Sequence, residues 1–121
     1  MRLVWIALSL VLAAACAGLI QPSEPHPPSC PPGEESRNSA SAPLTRVAAR
    51  YPNAARRTGK DGFVCMNFTV QRDGSVSDIC VSEQVPNGLF DREASAALAQ
   101  WKFAPTNEPY LSGTCTQFYA E

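Results

Sequence analysis

Histidine is almost missing from this chain: His26 is the only one among 121 residues. Its neighbours are Pro25, Pro27 and Pro28, so no partner for proton relay or metal ligation lies beside it in sequence. No Cys-x-x-Cys pair occurs either, and zinc sites rely on such closely spaced ligands. Neither a structural metal nor a cofactor is expected. Charge of one sign is lacking too. Ten Lys and Arg stand against eleven Asp and Glu, a net charge of −1, without the basic excess that draws nucleic acid. Carboxylates are scattered and no nucleophile motif appears, so nothing points to a catalytic pocket or a small-molecule substrate.

Long apolar runs are confined to the start. Met1-Arg2 gives one positive charge, Leu3 to Leu12 is apolar, and Ala13-Ala14-Ala15-Cys16-Ala17-Gly18 is small throughout. Those are the three parts of an export signal. Three readings stand: cleavage after Ala17; a lipoprotein signal cleaved before Cys16 with lipid on its sulfur; or an uncleaved anchor from Leu3 to Ile20, at the short limit for a bilayer span. Each places the remaining chain outside the cytoplasm, in the cell envelope, with the membrane as a contact of the N-terminus. Residues 21–42 follow as a linker. Their Pro, Ser and Glu content offers too little apolar surface to offset chain entropy, and the prolines stiffen it. The folded domain is expected over 43–121.

Apart from Cys16, four cysteines remain: Cys30, Cys65, Cys80 and Cys115. An even set in an exported chain reads as disulfides, with three connectivities open. Leu44 to Arg50 is predicted as a short helix that loosens before Pro52, and Asn53 to Thr58 as a second, closed by Gly59. This region holds Arg46, Arg50, Arg56 and Arg57, read either as a solvated face or as a basic docking face for an acidic partner or lipid headgroups.

From Phe63 to Val70, apolar Val64, Met66, Phe68 and Val70 alternate with Cys65, Asn67 and Thr69, the period of a strand with one buried face. Gln71-Arg72-Asp73-Gly74 is a hairpin turn. Ser75 to Ser82 returns, with Val76, Ile79 and Val81 out of strict alternation, which predicts a bulge near Ser77-Asp78. Asp91 is the expected N-cap of a helix over 92–102, whose Ala94, Ala97, Leu98 and Trp101 form an apolar stripe. Tyr110 to Ala120 is the last strand. The plan is α-β-β-α-β: an α+β fold with a small antiparallel three-stranded sheet packed by helices on one face.

These landmarks resemble the TonB C-terminal domain. The resemblance runs from Pro43 to Tyr119 and rests on Tyr51-Pro52-x-x-Ala55, Gly59-x-x-Gly62-x-Val64-x-Met66-x-Phe68-Thr69-Val70 and Asp73-Gly74-x-Val76 with Ile79-x-Val81. It continues through Phe90-Asp91-x-x-Ala94-x-x-Ala97 to Trp101-Lys102-Phe103-x-Pro105. It implies an envelope module that carries force from an inner-membrane motor to outer-membrane receptors, and that binds protein partners by adding a receptor peptide to a sheet edge. By resemblance that edge is the last strand: Leu111, Gly113, Thr114, Thr116, Gln117 and Tyr119. Motor-coupled members carry a histidine in the membrane helix and a longer Pro-rich spacer. Met1 to Ile20 has no histidine, so the resemblance implies a stand-alone module. A structural envelope lipoprotein, with this fold but uncoupled from a motor, is the alternative.

Cysteines within the sheet depart from the commonest members. Cys65 and Cys80 lie at alternation positions away from the apolar set, on neighbouring strands. They are expected to bridge, with Cys30 joined to Cys115; the alternative pairs Cys65 with Cys115.

Overall fold

A computed structural model describes residues 25–37 and 41–120. The export segment with Cys16, and linker residues 21–24 and 38–40, lie outside the described residues. Among the described residues no helix is long and apolar enough to cross a membrane.

The order of elements follows the sequence plan: α1 (Asn53–Arg56), β1 (Gly62–Val70), β2 (Val76–Val85), α2 (Asp91–Leu98) and β3 (Tyr110–Phe118). The sheet is antiparallel with order β2-β1-β3. Alternation along β1 does what its period requires. Val64, Met66, Phe68 and Val70 turn to the helical side and are buried with Val81, Phe118, Ala94, Leu98, Trp101 and Phe103. Phe90 stacks on Phe118 with ring centroids 4.4 Å apart and meets Tyr51 edge-on at 5.6 Å. Each such aromatic contributes roughly 1.5–3 kcal/mol by leaving water, which a domain this small needs.

The hairpin turn is fastened twice. Gln71 donates its N–H to the Ser75 carbonyl (2.8 Å), and the Asp73 carboxylate accepts both the N–H (3.0 Å) and the hydroxyl (2.6 Å) of Ser75. The hydroxyl bond in particular holds the Asp73 carboxyl below its ordinary range. Gly74 has φ +88, and a Cβ there would run into the Phe103 carbonyl, while the Phe103 N–H bonds the Gly74 carbonyl (2.8 Å). Gly74→Ala therefore combines left-handed strain with displaced backbone. We expect a loss of about 2–3 kcal/mol, read as a lower urea midpoint at unchanged slope.

The bulge falls where alternation breaks: Asn67 faces Cys80 and Thr69 faces Ser77, leaving Asp78 at φ +53. A second register shift sits at Ser82, between the pairs Cys65–Glu83 and Met66–Val81.

Four expectations are corrected. Residues 44–50 are not helical: Thr45 bridges Lys102 and 46–50 form no regular element. Leu44 and Thr45 donate to the Lys102 carbonyl (2.7 and 3.1 Å), and this long-range pairing outweighs local helix preference. The same pairing shortens the second helix, which ends at Leu98 rather than Lys102, after which i→i−3 bonds from Gln100 and Trp101 tighten the chain. Asp91 is the first helical residue and not the cap; Phe90 takes that place without a side-chain bond.

The fourth correction concerns the cystines, which join Cys30 to Cys80 and Cys65 to Cys115. The expected Cys65–Cys80 bridge fails because the two register shifts set Cys65 opposite Glu83 on β2, whereas Cys115 lies directly opposite it on β3. The second expected bridge, Cys30 to Cys115, goes with it. The alternative Cys65–Cys115 pairing is the one observed.

Candidate functional site

A three-stranded sheet has two outer edges, and each exposes backbone donors and acceptors that a further strand can pair. Here the edges are treated differently. Cys65 and Cys115 have Cα atoms only 3.9 Å apart, the narrow spacing of an antiparallel pair that exchanges no backbone hydrogen bonds. The N–H and C=O of Cys115 therefore turn away from β1. By the strand's period, so do those of Leu111, Gly113 and Gln117. The other side of β1 agrees: the Gln71 N–H points to β2, as odd positions of β1 then must. Among the described residues no backbone group pairs with the outer edge of β3.

The edge of β2 is occupied by the chain itself. Val81 donates its N–H to the Pro28 carbonyl and accepts the Cys30 N–H, both at 2.8 Å, a parallel bridge centred on Ser29. Residues 25–37, read from sequence as a free tether, are a strap that starts at α2, passes the β2 edge and crosses the face of the sheet opposite the helices. Asn67, 1% exposed, accepts the Arg37 N–H (3.1 Å) and donates to the Glu35 carbonyl (3.0 Å). The Ser36 and Ser82 hydroxyls meet at 2.9 Å. His26 Nδ1 lies 2.9 and 3.0 Å from the two oxygens of buried Asp91. Gly113 is buried because the strap crosses it: a Cβ there would collide with the Arg37 carbonyl. Prolines suit such a path, since they bring no N–H that must find a partner.

The remaining expected edge residues split by face. Thr114 and Thr116 are half-buried toward the helices. There they wall a groove of about 300 Å³ with Arg46, Ala94, Ala97 and Trp101. Leu111 and Gln117 are exposed on the strap side, and Tyr119 stands just past the strand's end, 68% exposed.

Arg46 and Arg56 line different hollows. Arg46 lies over the Trp101 ring, 4.7 Å from its centroid, while the indole N–H is held by the Val47 carbonyl (2.9 Å). Arg56 lines a separate hollow of about 340 Å³ with Tyr51, Gly59 and Ala120. Arg50 and Arg57 are exposed. Among the described residues no cluster of His, Cys, Asp and Glu could hold a metal ion.

The family described as the C-terminal part of the Gram-negative bacterial TonB protein matches residues 47–115. The chain belongs to the TonB C-terminal family. It is 38% identical to the TonB protein of Pseudomonas aeruginosa over 92 residues, 76% of this chain and 26% of that protein. To the TonB protein of Escherichia coli it is 31% identical over 62 residues, 51% of this chain and 26% of the relative. The chain thus spans about a quarter of these curated relatives. Among solved structures it is similar to the TonB C-terminal domain of Pseudomonas aeruginosa, with a TM-score of 0.53 at 33% identity, covering 69% of this chain and 88% of that one. The TonB2 protein of Vibrio anguillarum gives 0.56 at 32% identity, covering 80% of this chain and 99% of that one. As a member of the TonB C-terminal family it is not an enzyme.

Proposed function

We propose that this domain is the partner-binding end of a TonB-like transducer in the cell envelope, facing the periplasm and taking part in transport across the outer membrane. Its N-terminal segment directs it there and either stays as an anchor, is cut before a lipid-bearing Cys16, or is cleaved off and leaves the domain free. The partner is a protein, an outer-membrane receptor or another envelope component. It contributes an extended segment that pairs with the outer edge of β3, using backbone groups of Leu111, Cys115 and Gln117. Side chains of that segment then reach the Arg46–Trp101 groove on one face and Leu111 and Tyr119 on the other.

What supports this reading is the asymmetry of the two edges: β2 is closed by the strap at Val81, while among the described residues no backbone group pairs with the outward edge of β3 at exposed Leu111, Cys115 and Gln117. Backbone pairing supplies affinity, and alternate side-chain positions supply selectivity. The test is a photo-crosslinking residue placed at Gln117, with Glu83 on β2 as control, mixed with detergent-solubilised outer membranes of Pseudomonas aeruginosa. Adducts mapping to an extended receptor segment from Gln117 alone are expected. Equal labelling from both edges, or none from β3, would overturn the reading.

A further inference from the structure

The two cystines and one sheet pairing form a single band across the strap face. Cys30 is joined to Cys80 on β2. Cys80 faces Asn67 on β1, two residues from Cys65, and Cys65 is joined to Cys115 on β3. A pull on the chain ahead of Cys30 and an opposing pull by a strand paired to β3 enter this band at its two ends. Without the cystines, everything from residue 31 to residue 114 would lie in series between them. That includes α1, both strands of the hairpin, and α2 with its core partners.

The cystines replace that path with a short one. From Cys30 the covalent route passes to Cys80, back through the hairpin to Cys65, and across to Cys115. It contains about 15 residues instead of about 85, which at ~3.5 Å per residue is ~5 nm of extended chain against ~30 nm. Residues 31–64 and 81–114 become closed loops beside the route. They hold α1, α2, Phe90, Leu98, Trp101 and Phe103. Cys80 and Asn67 also sit mid-strand, so a transverse pull loads ladder bonds on both sides of the pair instead of peeling the hairpin from an end.

We propose that the domain is a short-travel force link, in which the cystines confine the load between the N-terminal arm and β3 to the hairpin 65–80. The importance of the pull at β3 rests on the strand-addition reading above; the route itself rests on the cystines and the register. Optical-tweezers extension of the full oxidised chain, with a handle at each end and no partner present, tests the route independently of that reading. The tails outside Cys30 and Cys115 are common to all variants, so differences in released length report the route.

For wild type we expect a release of ~5 nm between Cys30 and Cys115. Cys30→Ser with Cys80→Ser leaves the path from residue 30 to Cys65 open, and Cys65→Ser with Cys115→Ser leaves that from Cys80 to residue 115. Each should release ~12 nm, and all four substitutions together ~30 nm. A variant that fails to fold still displays its full contour length, and the wild-type value needs no variant to interpret it. A wild-type release near 12 or 30 nm would overturn the proposal. Failed crosslinking at Gln117 alongside a 5 nm release would overturn the strand-addition reading alone.

Discussion

Gln117→Pro is expected to remove partner capture at β3 while leaving the fold intact. Gln117 belongs to the set whose backbone N–H turns to the outer edge, so it makes no ladder bond to β1 for proline to break. Proline is tolerated on an edge strand in just this orientation. The residue before it, Thr116, is already extended, as a residue before proline prefers. For an incoming strand the same change deletes one donor and sets a ring where its backbone must approach. Losing one or two net hydrogen bonds and adding that obstruction should cost about 2–3 kcal/mol, roughly 30- to 150-fold in affinity.

The neighbouring Thr116→Pro makes the contrast. Thr116 faces Val64 in the β1–β3 register and its N–H points inward, so proline there breaks a ladder bond within the sheet. It should lower the melting temperature, whereas Gln117→Pro should leave it within a few degrees. Titration against the receptor identified by crosslinking, with circular-dichroism melts of both variants, decides the matter. Wild-type affinity in Gln117→Pro would mean that the partner does not bind by pairing with β3.

Patterns carried by local periodicity were legible in the sequence. The buried face of β1, the turn at Gly74, the bulge beside Asp78 and the apolar stripe of α2 each depend on residues near one another in the chain. The last strand was different. Ser112, Thr114 and Thr116 lie on its helix-facing side, so its polar pattern said little about which face is buried, and its role as the partner edge was reached only through the resemblance. Features set by long-range pairing were not legible. The non-helical course of 44–50 is fixed at Leu44 and Thr45 by Lys102, more than fifty residues on. The cystine pairing depends on two register shifts, of which alternation revealed one. Least visible was the strap. Its composition satisfies every criterion for a solvated linker, yet Cys30 and the groups of Asn67 hold it to the sheet. The signal available was Asn67 itself: an amide in the middle of a strongly apolar strand, on a face that would otherwise be open to water.

That strap and the second cystine lead to the largest expected effect on stability. Each cystine closes a loop of 50 residues, and constraining the unfolded chain over that length contributes about 4 kcal/mol in the loop-entropy account. Domains have about 5–15 kcal/mol in all, and one of this size sits low in that range. Cys65→Ser with Cys115→Ser should therefore lower the melting temperature by about 15 °C or more, with the strap still held by Cys30–Cys80 and no more self-association than in the wild type. Cys30→Ser with Cys80→Ser should cost as much in stability and also change behaviour. Once the strap leaves, the amide of Asn67 and the outward N–H and C=O of Val81 lose their partners, and β2 becomes a second open edge. An exposed edge pairs with what it meets, so this variant alone should self-associate as concentration rises. Calorimetry gives the first quantity and light scattering the second. Self-association of both variants alike would mean that lost stability, and not the uncovered β2 edge, drives it.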